Sequence, residues 1–150
     1  AAIIMFAIGA AGLLSWVINY SQMAFELSSI LTAVTTDGTV MLLLIALLLL
    51  VLGCFMEATP LIIILTPVLL PVATQLGVDP IHFGLIMVMV LMIGLITPPV
   101  GMVLFITAGI GNVSILSVAR SCIPFMVAIA VVTILAIVFP AWVLWLPSLV

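Results

Sequence analysis

Charge is the scarcest property of this sequence. Four carboxylates (Glu26, Asp37, Glu57 and Asp79), one arginine (Arg120) and one histidine (His82) are spread over 150 residues. Charged residues make up 3% of the chain and hydrophobic residues 69%, against roughly 25% charged in a soluble domain. So few polar groups cannot cover a water-facing surface, and lipid must be the main solvent. A single cation makes no basic patch, which excludes a nucleic-acid-binding surface.

Other absences narrow the function. Cys54 and Cys122 lie in apolar stretches without disulfide-framework or metal-ligand spacing, and free thiols are expected. There is no His-Glu-x-x-His zinc motif and no Gly-x-Ser-x-Gly elbow, and His82 has no polar neighbour that would make a dyad. The chain is expected not to be an enzyme. It opens on the apolar run Ala-Ala-Ile-Ile-Met-Phe with no basic leader, unlike a signal peptide. A piece of a longer polypeptide is the expectation.

What is present is long apolar runs with short polar punctuation. Residues 1–18 extend over about 27 Å as a helix, enough to cross a bilayer, and Trp16 and Tyr20 suit its interface. Residues 19–37 alternate apolar and polar faces at helical spacing and predict an amphipathic helix lying along the membrane surface. Asp37-Gly38 marks a turn. Residues 39–76 are apolar but carry Gly53, Glu57, Thr59 and Pro60 at their centre. Split there, each arm has about 14 to 17 residues, short for a hydrocarbon core of roughly 30 Å. A re-entrant hairpin with its tip at 53–59 fits the apolar turn better, and two short tilted spans are the alternative.

Residues 81–110 would make a helix of about 45 Å, too long for one crossing, with Gly94-Leu-Ile-Thr97-Pro98-Pro99-Val100-Gly101 at the centre. Proline lacks an amide hydrogen, so Pro98 takes the helical donor from the Gly94 carbonyl and Pro99 takes it from Leu95. Pro60 does the same to Met56. A transmembrane helix broken at 94–101 is predicted, and its freed oxygens must face protein, ion or water. Neutral oxygen ligands suit a monovalent hard cation such as Na⁺, and broken transporter helices use this arrangement. For Thr66-Pro67 and Pro71 a plain kink is expected, with threonine hydroxyls re-satisfying the freed carbonyls.

Glu57 is the only ionisable residue inside an apolar block. It is a proton or cation group, or the cap of the hairpin's second helix. His82, just past Asp79-Pro80, is expected to cap or to hydrogen-bond at the interface rather than to bind metal. Residues 112–121 read as a polar connection and residues 122–146 as a last transmembrane helix ending in Trp142 and Trp145. The positive-inside tendency places Arg120 in the cytoplasm. Asp37, Asp79 and the chain end then fall on the opposite side.

Four strings in order, Gly53-Cys-Phe-Met-Glu57-Ala-Thr-Pro60, Leu65-Thr-Pro67-Val-Leu-Leu-Pro71, Gly77-Val-Asp-Pro80-Ile-His-Phe-Gly84 and Gly94 to Gly101, carry a family resemblance. Together they closely resemble the C-terminal half of the large membrane subunit of TRAP transporters, the tripartite ATP-independent periplasmic carriers. The resemblance implies an all-α elevator-type fold of two inverted repeats, each with a re-entrant hairpin and a broken helix, this chain being the second repeat. It implies Na⁺ as coupling ion, with no other metal or cofactor. It also implies a multi-pass location in the bacterial inner membrane, where the orientation set by Arg120 puts the C-terminus in the periplasm.

The implied partners are the N-terminal half of the large subunit, a small (Q-type) membrane subunit and a periplasmic substrate-binding protein. The implied cargo is an organic acid such as a C4-dicarboxylate or sialic acid. Carried over residue by residue, Gly53, Met56, Gly94, Leu95, Thr97 and Val100 would bind Na⁺. Glu57, Ala58, Thr59, Pro98, Pro99 and Gly101 would face substrate. Residues 1–18, the surface helix and residues 123–146 would belong to scaffold. The alternatives are a proton-coupled carrier or exchanger of related architecture, with Glu57 carrying the proton, and a non-transporting assembly subunit.

Overall fold

Asp37 and Asp79 begin two helices in the same way. The Asp37 carboxylate accepts the Thr39 amide at 2.8 Å. That of Asp79 accepts the amides of Ile81 at 2.8 Å and His82 at 3.3 Å. Each side chain satisfies amides that a helix start leaves without partners. Pro80 at the first helical position needs no such partner. The computed structural model describes residues 37–98 and 101–145, with single positions 9, 13, 16, 17, 20, 35 and 147. The expected crossing over 1–18 and surface helix over 19–37 lie almost wholly outside the described residues.

Among the described residues six helices run in order: α1 (Gly38–Phe55), α2 (Ala58–Gln75), α3 (Pro80–Leu95), α4 (Met102–Gly111), α5 (Ile115–Val138) and α6 (Pro140–Leu144). No strand occurs among the described residues. The arms α1 and α2 have 18 residues each, about 27 Å, longer than the 14 to 17 residues expected. Helical hydrogen bonding continues through Gly53, and only Met56 and Glu57 leave it. α5 begins at Ile115, capped by the Ser114 hydroxyl on the Ser117 amide at 3.2 Å. Most of the connection expected over 112–121 is therefore helix. Its serines point to a polar surround, and nothing between Ile115 and Ser121 breaks a helix.

α3 is the central helix. Phe83, Ile86, Met87, Val90 and Leu91 bury one side of it against Met41, Leu42, Ile45 and Leu49 of α1, with α2 and α5 packed alongside. Gly38 lies against the Leu76 carbonyl and Val78, just before α3 begins, and Gly53 lies against Gly94 near its end. α1 and α3 therefore run side by side in the same direction, while α2 returns between them in sequence. Two close glycine contacts, one at each end, set that alignment.

The outer faces are apolar. Leu47, Phe125, Ile110 and Leu116 are well exposed, and α1, α2 and α5 are each long and apolar enough to cross a membrane. Apolar surface on this scale is stable only where lipid covers it. The chain is an integral membrane protein.

The prolines inside α2 are accommodated differently from the expectation. Pro67 removes the donor for Ile63, yet the Thr66 hydroxyl donates to the Ile62 carbonyl at 2.6 Å. A threonine reaching back four residues lands one carbonyl short of the one that the next proline frees. The Thr97 hydroxyl does the same, donating to Ile93 at 2.6 Å.

Candidate functional site

The parallel run of α1 and α3 brings two helix C-termini to one place. Gly94 lies against the main chain of Gly53. A Cβ built on Gly94 would stand 2.8 Å from the Gly53 carbonyl carbon and 2.9 Å from its Cα. Only a residue without a side chain fits there. The next link is a backbone hydrogen bond, in which the Gly101 amide donates to the Cys54 carbonyl at 3.1 Å. Gly101 has φ of +48°, a left-handed conformation, and a Cβ on it would sit 2.9 Å from the Thr97 carbonyl oxygen. Glycine is required twice over at that position.

Between α3 and α4 the backbone leaves the helix. Ile96 donates to the Ile93 carbonyl at 3.2 Å and Thr97 to the Gly94 carbonyl at 3.0 Å, which tightens the last turn to a three-residue spacing. The Gly94 carbonyl, expected to lack a donor, thus has one in Thr97. Pro98 forbids the four-residue bond, and the shorter turn replaces it. The Thr97 hydroxyl spends its only proton on Ile93, so its oxygen can act toward a ligand only as an acceptor.

Leu95 is half-buried and closes α3, and Pro98 is exposed. Pro99 and Val100 lie outside the described residues. Met56 and Glu57 form the bend between α1 and α2, with ψ of 153° and 146°. Glu57 occupies the cap position of α2 but makes no side-chain cap bond. Its carboxylate instead accepts the Thr59 hydroxyl at 3.5 Å. Of the two roles open to Glu57, amide capping is not the one adopted. Ala58 is buried, and Glu57 and Thr59 are exposed. The structure thus joins Gly53 and Cys54 to Gly94 and Gly101. Among the described residues, no hydrogen bond links 56–59 to 94–101.

The electrostatics follow from helix directions. α1 and α3 both end here, each presenting about half a negative charge, while α2 and α4 both begin here with the opposite sign. The ends favour a small cation on one side, and the starts favour an anion on the other.

Two features escaped sequence reasoning. The Cys54 carbonyl takes part although its thiol is free and buried; a backbone oxygen leaves no mark in residue identity. His82, expected at an interface, is only 4% exposed and contacts the Ala136 carbonyl through Nε2 at 2.8 Å. Pro140, four residues after Ala136, was the available signal.

Comparison with known proteins bears on the same residues. The family model described as "Tripartite ATP-independent periplasmic transporter, DctM component" matches residues 1–142. The chain is 39% identical over 134 residues to the sialic acid TRAP transporter large permease protein SiaM of Vibrio cholerae, covering 89% of the chain and 31% of that protein. It is 37% identical over 145 residues to the C4-dicarboxylate TRAP transporter large permease protein DctM of Pseudomonas aeruginosa, covering 97% and 34%. It is 42% identical over 147 residues to the uncharacterized protein YgiK of Salmonella typhimurium, covering 98% and 34%. The chain spans about a third of the length of these relatives. The two named for a transport role are permeases, not enzymes.

Proposed function

Because this chain belongs to the DctM-component family of TRAP transporters, we propose that it forms one inverted repeat of a permease that couples Na⁺ entry to organic-acid import. In this reading α1 and α2 are the arms of a re-entrant hairpin. α3 and α4 are halves of one broken membrane helix, and the two interruptions meet mid-membrane. The observation that carries the proposal is the contact of Gly53 with Gly94, reinforced by the Gly101 amide on the Cys54 carbonyl.

Na⁺ sits at the converging ends of α1 and α3, held by main-chain oxygens of Gly53, Met56, Gly94, Leu95 and Val100 and by the Thr97 hydroxyl oxygen. The starts of α2 and α4, with Glu57, Ala58, Thr59, Pro98, Pro99 and Gly101, face the carboxylate-bearing substrate. Bound cation offsets the negative helix ends and holds the hairpin against the break, which completes the anion side. An elevator movement then carries both across the bacterial inner membrane. A small membrane subunit and a periplasmic binding protein complete the system, and Arg120 faces the cytoplasm.

The class of substrate rests on relatives named for sialic acid, C4-dicarboxylates and isethionate. All three are organic anions, which fits a site made from helix N-termini without a lysine or arginine.

The test is uptake into proteoliposomes containing the permease that carries this chain, its small subunit and its binding protein, under an imposed Na⁺ gradient. Uptake is expected to collapse when K⁺ replaces Na⁺. Equal uptake in the two salts would refute the coupling.

A further inference from the structure

α5 ends where a proline demands it. The last regular bond of its final turn is Phe139 to the Leu135 carbonyl at 2.8 Å. The next acceptor, the Ala136 carbonyl, would take the amide of residue 140, and Pro140 has none. Ala136 is buried, and an unpaired carbonyl there is costly. The partner comes instead from a helix 54 residues away in sequence: His82 Nε2, at 2.8 Å. A carbonyl can only accept, so Nε2 carries the proton.

We propose that His82 is a positioning residue that substitutes for the backbone amide Pro140 lacks. It thereby pins the non-helical joint at Phe139, where φ is −118° and ψ is 73°. With Ala136 satisfied, α5 stops inside an apolar surround and α6 leaves on a separate course. Val143 of α6 then packs on the central core, while Trp142 stays 74% exposed. The joint also shapes one wall of a cavity of about 310 Å³ between the capped starts of α1 and α3, lined by Thr39, Asp79, His82, Pro140 and Leu144.

The experiment uses the permease carrying this chain, in nanodiscs, with His82→Phe, Pro140→Ala and both together. Phenylalanine keeps ring volume but leaves the Ala136 carbonyl unpaired, and a drop of several degrees in melting temperature is expected. Pro140→Ala restores an amide to that carbonyl, so the double variant is expected to melt with the Pro140→Ala protein. Equal destabilisation by His82→Phe in both backgrounds would overturn the proposal, as would no effect in either. Should His82→Phe alone fail to fold, recovery of monodisperse protein in the double variant is the readout, and no recovery counts against the joint. Nitrogen-15 NMR, with the signal assigned by its loss in His82→Asn, is expected to show the Nε2-protonated ring. An Nδ1-protonated ring would refute it.

Discussion

Gly53 and Gly94 meet backbone to backbone: a Cβ on Gly53 would lie 3.4 Å from the Gly94 Cα, and one on Gly94 only 2.8 Å from the Gly53 carbonyl carbon. The two positions are unequal as a result. At Gly53 the nearest atom is the end of the Leu91 side chain, at 3.3 Å, which can shift. At Gly94 the obstacle is main chain, which cannot. Gly94→Ala is therefore expected to cost about 1–3 kcal/mol, as overpacking does, and to cut Na⁺-driven uptake by at least roughly tenfold, the equivalent of about 1.4 kcal/mol. Gly53→Ala should be milder on both counts. Denaturation midpoints and initial uptake rates of the two variants check the order.

Replacing Pro98 and Pro99 together with alanine returns amides to the turn after α3. The four-residue ladder can then re-form past Gly94, and Gly101 is drawn from its bond to Cys54. Insertion and yield are expected to stay near wild type while Na⁺-dependent uptake is lost. Wild-type dependence on Na⁺ in this variant would count against the interruption as the seat of coupling.

Thr97→Val keeps the side-chain shape and removes the oxygen. The Ile93 carbonyl keeps the Ile96 amide, so folding should be little affected. The half-saturating Na⁺ concentration is expected to rise roughly tenfold, equivalent to about 1.4 kcal/mol. Thr97→Ser should stay close to wild type. Uptake titrated against Na⁺ separates the two.

Glu57 decides between coupling ions. It carries no capping bond, so Glu57→Gln should leave α2 intact. Under Na⁺ coupling, the variant retains Na⁺-driven uptake with a changed substrate half-saturation. Proton-driven, Na⁺-independent uptake in wild type, abolished in Glu57→Gln, would favour the proton-coupled alternative.

Local chemistry was legible in the sequence and long-range backbone pairing was not. Asp79-Pro80 announces a helix start because a cap acts within three residues, whereas Asp37-Gly38 reads only as a turn and proves to cap a helix as well. Gly94 to Gly101 announces an interruption because proline deletes a specific donor. The same local reasoning failed at the Gly94 carbonyl, where the chain tightened rather than leave an acceptor unpaired. At Glu57 it left two roles open, and the carboxylate turned to Thr59 instead of the α2 amides. The Gly101-to-Cys54 bond and the reach of His82 to Ala136 depend on how α1, α3 and α5 are packed. A donor 54 positions away follows from packing, not from spacing.

Whether a cation is held where α1 and α3 end is decided by thermal unfolding of the purified permease carrying this chain, measured as NaCl replaces KCl at constant ionic strength. The melting temperature is expected to rise with Na⁺ in wild type, and to rise much less in Thr97→Val and Gly94→Ala. A wild-type melting temperature indifferent to Na⁺, or an equal rise in all three proteins, would rule out a Na⁺ site at those helix ends.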